Sequence, residues 1–203
     1  MTTKQATPPL QQSRVQSFPA PSPLATVTDL TKQDAQAITE ALNPLIADLF
    51  ALYVKTKNFH WHLAGSHFRD YHLLFDEHAG QIFAAIDLLA ERVRRVGGTT
   101  IRSISHIGQI QTIADDNDNF VPAGEMAQRL LQDNAHLAKM QRAAHAVCEK
   151  HHDVATSSLL ETIIDESERR KWFLFEITQG MKKTEDENEL PADDPRRAAP
   201  VRS

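Results

Sequence analysis

The chain has 203 residues, a formal net charge of −5 and a single cysteine, Cys148. This length fits one domain with a sizeable core, and a single cysteine excludes an intrachain disulfide. The negative charge argues against a nucleic-acid-binding surface spread over the whole protein. No 18-residue stretch is apolar throughout, and residues 1–26 lack the apolar core of a signal peptide. We therefore expect a cytoplasmic protein without a membrane span.

Both ends of the sequence differ in composition from its middle. Residues 1–26 are rich in Pro, Ser and Gln and contain no acidic residue. Residues 184–203 begin with an acidic run and end with three arginines. Segments with so few large apolar side chains cannot bury enough surface to fold, so we expect both to be disordered tails. The folded domain should therefore cover residues 27–183.

Between the tails, apolar residues recur with the period of an α-helix in four long segments, at about 32–63, 68–95, 122–150 and 153–179. We expect Pro44 to kink or break the first helix and Gly180 to end the last one. Residues 99–121 should form a long connection that contains a short helix near 104–113. One long connection between the second and third helices is typical of a bundle with one crossover. The sequence therefore predicts an all-α four-helix bundle.

Four side chains that can bind a metal lie on one face of the second predicted helix. His72 and Asp76 are four residues apart and share that face, and Asp87 and Glu91 repeat the spacing. Eleven residues separate the two aspartates, which at about 100° per residue returns to within about 20° of the same direction. A solvated helix face explains any one of these residues. Their bulky apolar neighbours favour a stripe that lies against protein.

The two pairs cannot bind one ion within a single chain. Eleven residues of helix rise about 16 Å, whereas a ligand atom lies about 2 Å from its metal. If two copies of the helix cross antiparallel near Gln81 and Ile82, the first pair of one copy faces the second pair of the other. The residues around that crossing are small, namely Ala79, Gly80, Ala84 and Ala85. Because closed two-fold dimers are the commonest oligomers, the sequence predicts a metal site shared between two subunits.

His60, near the end of the first helix, adds a fifth candidate ligand. The set then contains two imidazoles and three carboxylates without a thiolate, which suits Fe, Mn or Zn. Five such ligands can hold two adjacent metals or one metal with open positions.

The segment that carries these residues resembles the signature of the Dps family, the DNA-protecting mini-ferritins of prokaryotes. The matching elements are His60-Trp61, Gly65, Phe68, His72, Asp76, Asp87, Glu91-Arg92 and Gly97-Gly98. The similarity extends over roughly residues 30–180 and ends in the run RRKWFLFEI around Trp172. His62 departs from the pattern, because many members of the family have Asn there, and we expect it at a surface or an interface.

This resemblance implies a ferritin-like fold and a homo-oligomer, a dodecamer built from two-fold dimers. It also implies a ferroxidase that oxidises Fe(II) to Fe(III), preferably with hydrogen peroxide, and stores ferric mineral in a hollow shell, protecting DNA from oxidative damage. The implied ligands and catalytic residues are His60, His72, Asp76, Asp87 and Glu91. Zn or Mn could substitute for iron. Trp61 lies beside the site and is expected to pack in the core, with a redox role as a second option.

The resemblance further implies acidic residues near the start of the last helix that line three-fold pores. Glu149 and Asp153 are the candidates here. An ordinary role as helix-terminal charges has equal weight.

DNA binding is expected to be weak. Relatives that bind DNA use basic tails, and the N-terminal tail here offers only Lys4 and Arg14. The protein could also be associated with the nucleoid. Two other functions stay open. A nucleoid-binding structural protein with an incidental metal site would need a strongly basic tail. Another di-metal bundle oxidase would need a second Glu-x-x-His motif besides that of Glu149 and His152.

Overall fold

The computed structural model describes residues 22–189. Within this range the chain forms a short 3₁₀ turn at Ser22–Leu24 and five helices, with no strand. The helices are α1 (Lys32–His62), α2 (Phe68–Arg95), α3 (Ile104–Ile110), α4 (Ala123–Lys150) and α5 (Val154–Glu189). The predicted all-α fold, with four long helices and a short one in the long connection, is confirmed.

The long helices form two antiparallel hairpins, α1 with α2 and α4 with α5, and α1 also packs on α4. Their shared core consists mainly of leucine, isoleucine and phenylalanine, including Leu42, Leu49, Leu52, Phe59, Phe75, Ile82, Leu89, Leu137 and Leu160. By length and composition α1 could cross a membrane, but half of its most apolar stretch is buried inside the bundle. Its apolar character is therefore that of a core helix.

Helix α1 begins with a capping box in which Thr31 and Asp34 bond to each other's backbone N–H groups. His151, at the end of α4, bonds to Asp34 through Nδ1 at 2.6 Å and ties the two helix ends together. Pro44 lies inside α1, which continues to His62. The helix is therefore not broken at Pro44, which was one of the two expected effects of this proline.

Two connections fix the positions of the helices around the candidate site. Gly65, with φ at +120°, allows the short turn that leads from α1 directly into α2. The longer connection is anchored by Asp48 of α1, which is fully buried. Its carboxylate accepts hydrogen bonds from the backbone N–H groups of Thr112 and Ile113, at 2.5 and 2.9 Å.

The expected end of the last helix at Gly180 is wrong, because α5 continues to Glu189. A glycine inside a helix costs only about 1 kcal/mol relative to alanine, and the residues after it are mostly compatible with a helix. Residues 184–189, which were assigned to the C-terminal tail, are therefore helical. Residues 1–21 and 190–203 lie outside the described residues, so the expectation of disordered tails stays a prediction there.

Candidate metal centre

The turn between α1 and α2 brings two of the predicted ligands, His60 and His72, into contact. Their rings stack with centroids 3.8 Å apart and an interplanar angle of 19°. His60 Nδ1 lies 2.8 Å from the carbonyl oxygen of His72, and His72 Nδ1 lies 3.0 Å from that of His60. Because a carbonyl oxygen only accepts, each Nδ1 must carry the proton. In the neutral imidazole, a proton on Nδ1 leaves the lone pair of Nε2 for a metal, and both rings are oriented before any metal binds.

Asp76 lies one turn after His72, and its Oδ1 is 4.0 Å from His60 Nε2. The same oxygen accepts a hydrogen bond from Lys57 Nζ at 2.7 Å. This hydrogen bond and the positive charge of Lys57 hold the pKa of Asp76 below its usual value. Without metal, the ammonium group of Lys57 supplies the positive charge next to this carboxylate. A metal ion that binds Asp76 through this oxygen must displace it.

Asp87 and Glu91 are exposed on α2, away from the histidine pair. Glu91 forms an ion pair with Arg95 one turn further on. Among residues 22–189, no group of three or more histidine, cysteine or acidic side chains is arranged to hold a metal within one chain. The structure of one chain thus brings His60 close to His72 and Asp76 and leaves the second acidic pair apart. The five-ligand site stays a prediction that requires a second subunit.

The outer face of α2 carries Asp76, the acidic pair of Asp87 and Glu91, and several apolar side chains. It consists of the exposed residues Leu73, Asp76, Glu77, Gly80, Phe83, Ala84, Asp87, Leu88 and Glu91. Phe83, Leu73 and Leu88 are 54%, 51% and 49% exposed. We expected them to lie against protein, but within one chain only the opposite face of α2 does so. A helix with a second, uncovered apolar face has the pattern of an interaction surface.

Gly80 lies in the middle of this outer face. Apart from the neighbouring residues and the surrounding helix backbone, no atom of its own chain lies within 4 Å of the position that a Cβ would occupy. Glycine in a helix interior costs about 1 kcal/mol relative to alanine, and packing within the chain does not require this one. A close approach by a second backbone would account for it.

Trp61 and His62 lie at the end of α1 and face outward. The expectation that Trp61 packs in the core is wrong for the single chain, because 64% of its side chain is exposed. Phe59 and His60 occupy the inner side of this last turn, so the next two residues point away from the bundle. Lys57 Nζ lies 5.8 Å from the Trp61 ring centroid, within the range of a cation–π contact. The exposed position of His62 agrees with the expected surface location.

The two candidate pore residues differ in their surroundings. Glu149 is exposed near the end of α4. Asp153 is buried, accepts a hydrogen bond from Arg92 at 2.7 Å and caps α5 through the backbone N–H of Thr156 at 3.1 Å. These contacts give Asp153 a structural role and argue against a role in a pore. For Glu149 that role stays a prediction.

In the part that the structure describes, the interior between α4 and α5 contains polar groups but no cluster of carboxylates. Arg170 is almost completely buried and donates to Asn134 Oδ1 at 3.0 Å and to Ser167 Oγ at 2.7 Å. Gln141 donates to the same serine oxygen at 2.9 Å. A di-metal site inside the bundle would need glutamates and histidines on facing helices. The described part of this interior therefore does not favour the alternative of a conventional di-metal bundle oxidase.

Two residues near the histidine pair were not assigned a role from sequence. Lys57 precedes His60 by three residues, which places both on one side of α1, and this spacing was the available signal. Phe68 was named only as an element of the Dps signature, without a role at the site. In the structure its ring stacks on that of His72, with centroids 5.0 Å apart and an interplanar angle of 24°.

Comparisons with known proteins agree with this fold. A family model for the ferritin-like domain matches residues 39–184. The DNA protection during starvation protein of Brevibacillus brevis is 31% identical over 139 residues, covering 68% of this chain and 93% of that protein. The structure of DpsC from Streptomyces coelicolor matches with a TM-score of 0.72 at 28% identity, covering 81% of this chain and 95% of that one.

A further structure links this fold to a class of metal proteins. The Dps protein of Vibrio cholerae O1 is a member of a broad superfamily of ferritin-like diiron-carboxylate proteins. It matches with a TM-score of 0.71 at 26% identity, covering 76% of this chain and 97% of that chain. The helical fold agrees with the matched ferritin-like domain and with the identity to the Brevibacillus brevis protein. The chain belongs to the Dps family of ferritin-like proteins.

Proposed function

We propose that this Dps-type iron-binding protein is a cytoplasmic ferroxidase that oxidises Fe(II) at sites shared between two subunits. Hydrogen peroxide is the preferred oxidant, and the ferric product is stored in a hollow shell. One observation carries the proposal. His60 and His72 orient each other through reciprocal hydrogen bonds, with both Nε2 atoms available and Asp76 beside them.

The outer face of α2 supplies the argument for a shared site. It carries Asp76 at one end and Asp87 and Glu91 at the other, with Gly80 and exposed apolar side chains between them. Two antiparallel copies of this face would cover the apolar side chains of both. The same crossing would place the second acidic pair of each chain opposite the histidine pair of the other. Each dimer would then contain two equivalent sites.

The ligand chemistry favours oxidation of bound iron. Carboxylate oxygens are hard anionic ligands that stabilise Fe(III) more than Fe(II), so Fe(II) bound among them is a stronger reductant than in water. Two adjacent Fe(II) ions can give two electrons to one hydrogen peroxide, which takes up two protons and yields two water molecules. This two-electron route avoids the one-electron step that releases hydroxyl radical. Such chemistry would protect nearby DNA. Zn or Mn would compete for the same ligands.

The assembly belongs to the proposal as well. A dodecamer built from two-fold dimers would enclose the space needed for ferric mineral, and Glu149 is the candidate for an iron path through the shell. Direct DNA binding is proposed to be weak, because Lys4 and Arg14 are the only basic side chains in residues 1–26.

The ligand assignment is tested by Asp87→Asn combined with Glu91→Gln. This double variant should lose rapid Fe(II) oxidation with peroxide and keep the particle mass of the wild type. Asp70→Asn, on an exposed residue at the start of α2, is the matched control and should oxidise iron normally. A double variant that oxidises Fe(II) as fast as the wild type would remove these residues from the site.

Complementation tests whether the site is shared. A His72→Asn chain keeps the second acidic pair, and the Asp87→Asn, Glu91→Gln chain keeps the histidine pair. Each alone should be inactive. A mixed dimer of the two contains one intact site, so random co-assembly should recover about a quarter of the wild-type sites. Co-assembled particles that recover no activity would contradict the shared site.

A further inference from the structure

We infer that Phe68 is a positioning residue for iron binding, because its ring holds the imidazole of His72 in the orientation that a metal needs. This inference rests on the proposed function of the histidine pair. It concerns a side chain that is not itself a metal ligand. Its basis is a column of three rings at the junction of α1 and α2, formed by Phe68, His72 and His60.

The column stacks two near-parallel rings on His72. The His60 ring lies 3.8 Å from it, centroid to centroid, at 19°, and the Phe68 ring lies 5.0 Å from it at 24°. Offset stacking of this kind is attractive beyond the area that it buries. Because Phe68 precedes His72 by four residues on α2, the helix itself brings the two rings together.

The position of His72 explains why it needs such support. Phe68 is the first residue of α2, and the cap residue before it makes no side-chain hydrogen bond. The backbone N–H of Phe68 bonds to the carbonyl oxygen of Gly65 at 3.2 Å, and contacts between side chains add to the order of this first turn. One hydrogen bond, from His72 Nδ1 to the His60 carbonyl, fixes a single point of the imidazole. The stacked rings restrict rotation about that bond and thereby the direction of Nε2.

The consequence is a preformed ligand. A free imidazole loses rotational freedom when a metal binds it, and a stacked one has lost that freedom already. Ordering one side chain on binding typically weakens affinity by about 2- to 10-fold. Phe68 is 45% exposed and contributes little to the core, so its removal should affect the site more than the fold. Its main effect is therefore expected on Fe(II) affinity.

The test compares Phe68→Leu, which keeps an apolar side chain without a ring, with Phe68→Tyr, which keeps the ring. Anaerobic titration calorimetry with Fe(II) reports affinity, and peroxide-driven oxidation over a range of iron concentrations separates KM from kcat. Phe68→Leu should weaken Fe(II) binding and raise KM by about 2- to 10-fold, with kcat and particle mass nearly unchanged. Phe68→Tyr should restore both values. Phe175→Leu, at a similarly exposed phenylalanine of α5 outside the ring column, should change neither.

Two results would overturn the inference. One is unchanged Fe(II) affinity and KM in Phe68→Leu. The other is a loss that Phe68→Tyr fails to recover, which would assign Phe68 to packing alone. If Phe68→Leu does not assemble, Phe68→Met serves as the second ring-free variant with the same expected outcome. His72→Asn separates the inference from the proposed function. Normal oxidation in His72→Asn contradicts the site itself, whereas lost oxidation there with normal Phe68→Leu contradicts only the positioning role.

Discussion

Replacing Gly80 by leucine gives opposite expectations for the single chain and for the dimer. Within one chain, no atom beyond the neighbouring residues and the surrounding helix backbone lies within 4 Å of the new Cβ position. Leucine is also a better helix former than glycine, by somewhat less than about 1 kcal/mol. The fold of the chain should therefore be unchanged or slightly stabilised. Any loss of assembly must come from contacts with another subunit.

At the proposed two-fold interface the same substitution should be costly. Overpacking a close contact typically costs about 1–3 kcal/mol. The two-fold axis places Gly80 of both subunits in the interface, which doubles the cost to about 2–6 kcal/mol per dimer. At about 1.4 kcal/mol per factor of ten, dimerisation should weaken by about 30-fold or more.

Mass photometry and sedimentation velocity measure the assembly, circular dichroism measures the helix content, and peroxide-driven Fe(II) oxidation measures the site. Gly80→Leu should lose particle mass and iron oxidation together while its helix content is kept. Ala135→Leu, on an exposed alanine of α4 outside this face, is the control for a large side chain on a helix surface. Monomers or dimers of Gly80→Leu that oxidise iron at the normal rate would refute the geometry proposed for the shared site. Particles of full mass with normal oxidation would show that α2 does not cross its copy at Gly80.

Three further outcomes are expected. Lys57→Met should tighten Fe(II) binding, measured by anaerobic titration, because the metal no longer displaces an ammonium from Asp76; unchanged or weaker binding would contradict this. Burial, aided by the charges of Arg170 and Arg169, lowers the pKa of His78 from 6.5 to about 3. Between these pH values only the unfolded chain binds this proton. The neutral, buried His78 therefore lowers the free energy of unfolding as pH falls below 6.5, by about 1.4 kcal/mol per pH unit, and has no such effect above pH 6.5. His78→Gln should flatten that part of the pH dependence of thermal unfolding in metal-free protein, and an unchanged slope would refute it. A DNA gel shift at about 150 mM salt should show little binding, whereas tight complexes would favour the nucleoid-structural function.

Helix-period patterning predicted much of this protein without any structure. The positions of α1, α2 and α4 follow from where apolar side chains recur, and the short gap between α1 and α2 follows from a break in that pattern. These features depend on neighbouring residues along the chain, so local sequence is sufficient to predict them. Local sequence is likewise sufficient to predict that His72, Asp76, Asp87 and Glu91 share one helical face.

The end of α5 shows where local rules fail. Glycine stops a helix only if the residues after it leave the helical conformation, and here α5 continues beyond Gly180 to Glu189. The prediction that Trp61 is buried was wrong for a different reason. Its place beside His60 suggested burial, but Phe59 and His60 occupy the inner side of the turn, so Trp61 faces outward.

Only the tertiary structure decided the chemistry at the junction of α1 and α2. The reciprocal hydrogen bonds of His60 and His72 join side chains to carbonyl groups twelve residues away, which no spacing rule specifies. The pairing of Lys57 with Asp76 and the burial of Asp153 against Arg92 likewise require helices that meet through the fold. Periodicity determines which face of a helix a side chain occupies. Packing between helices determines what that side chain touches, because contacts across the bundle depend on the whole arrangement of the chain.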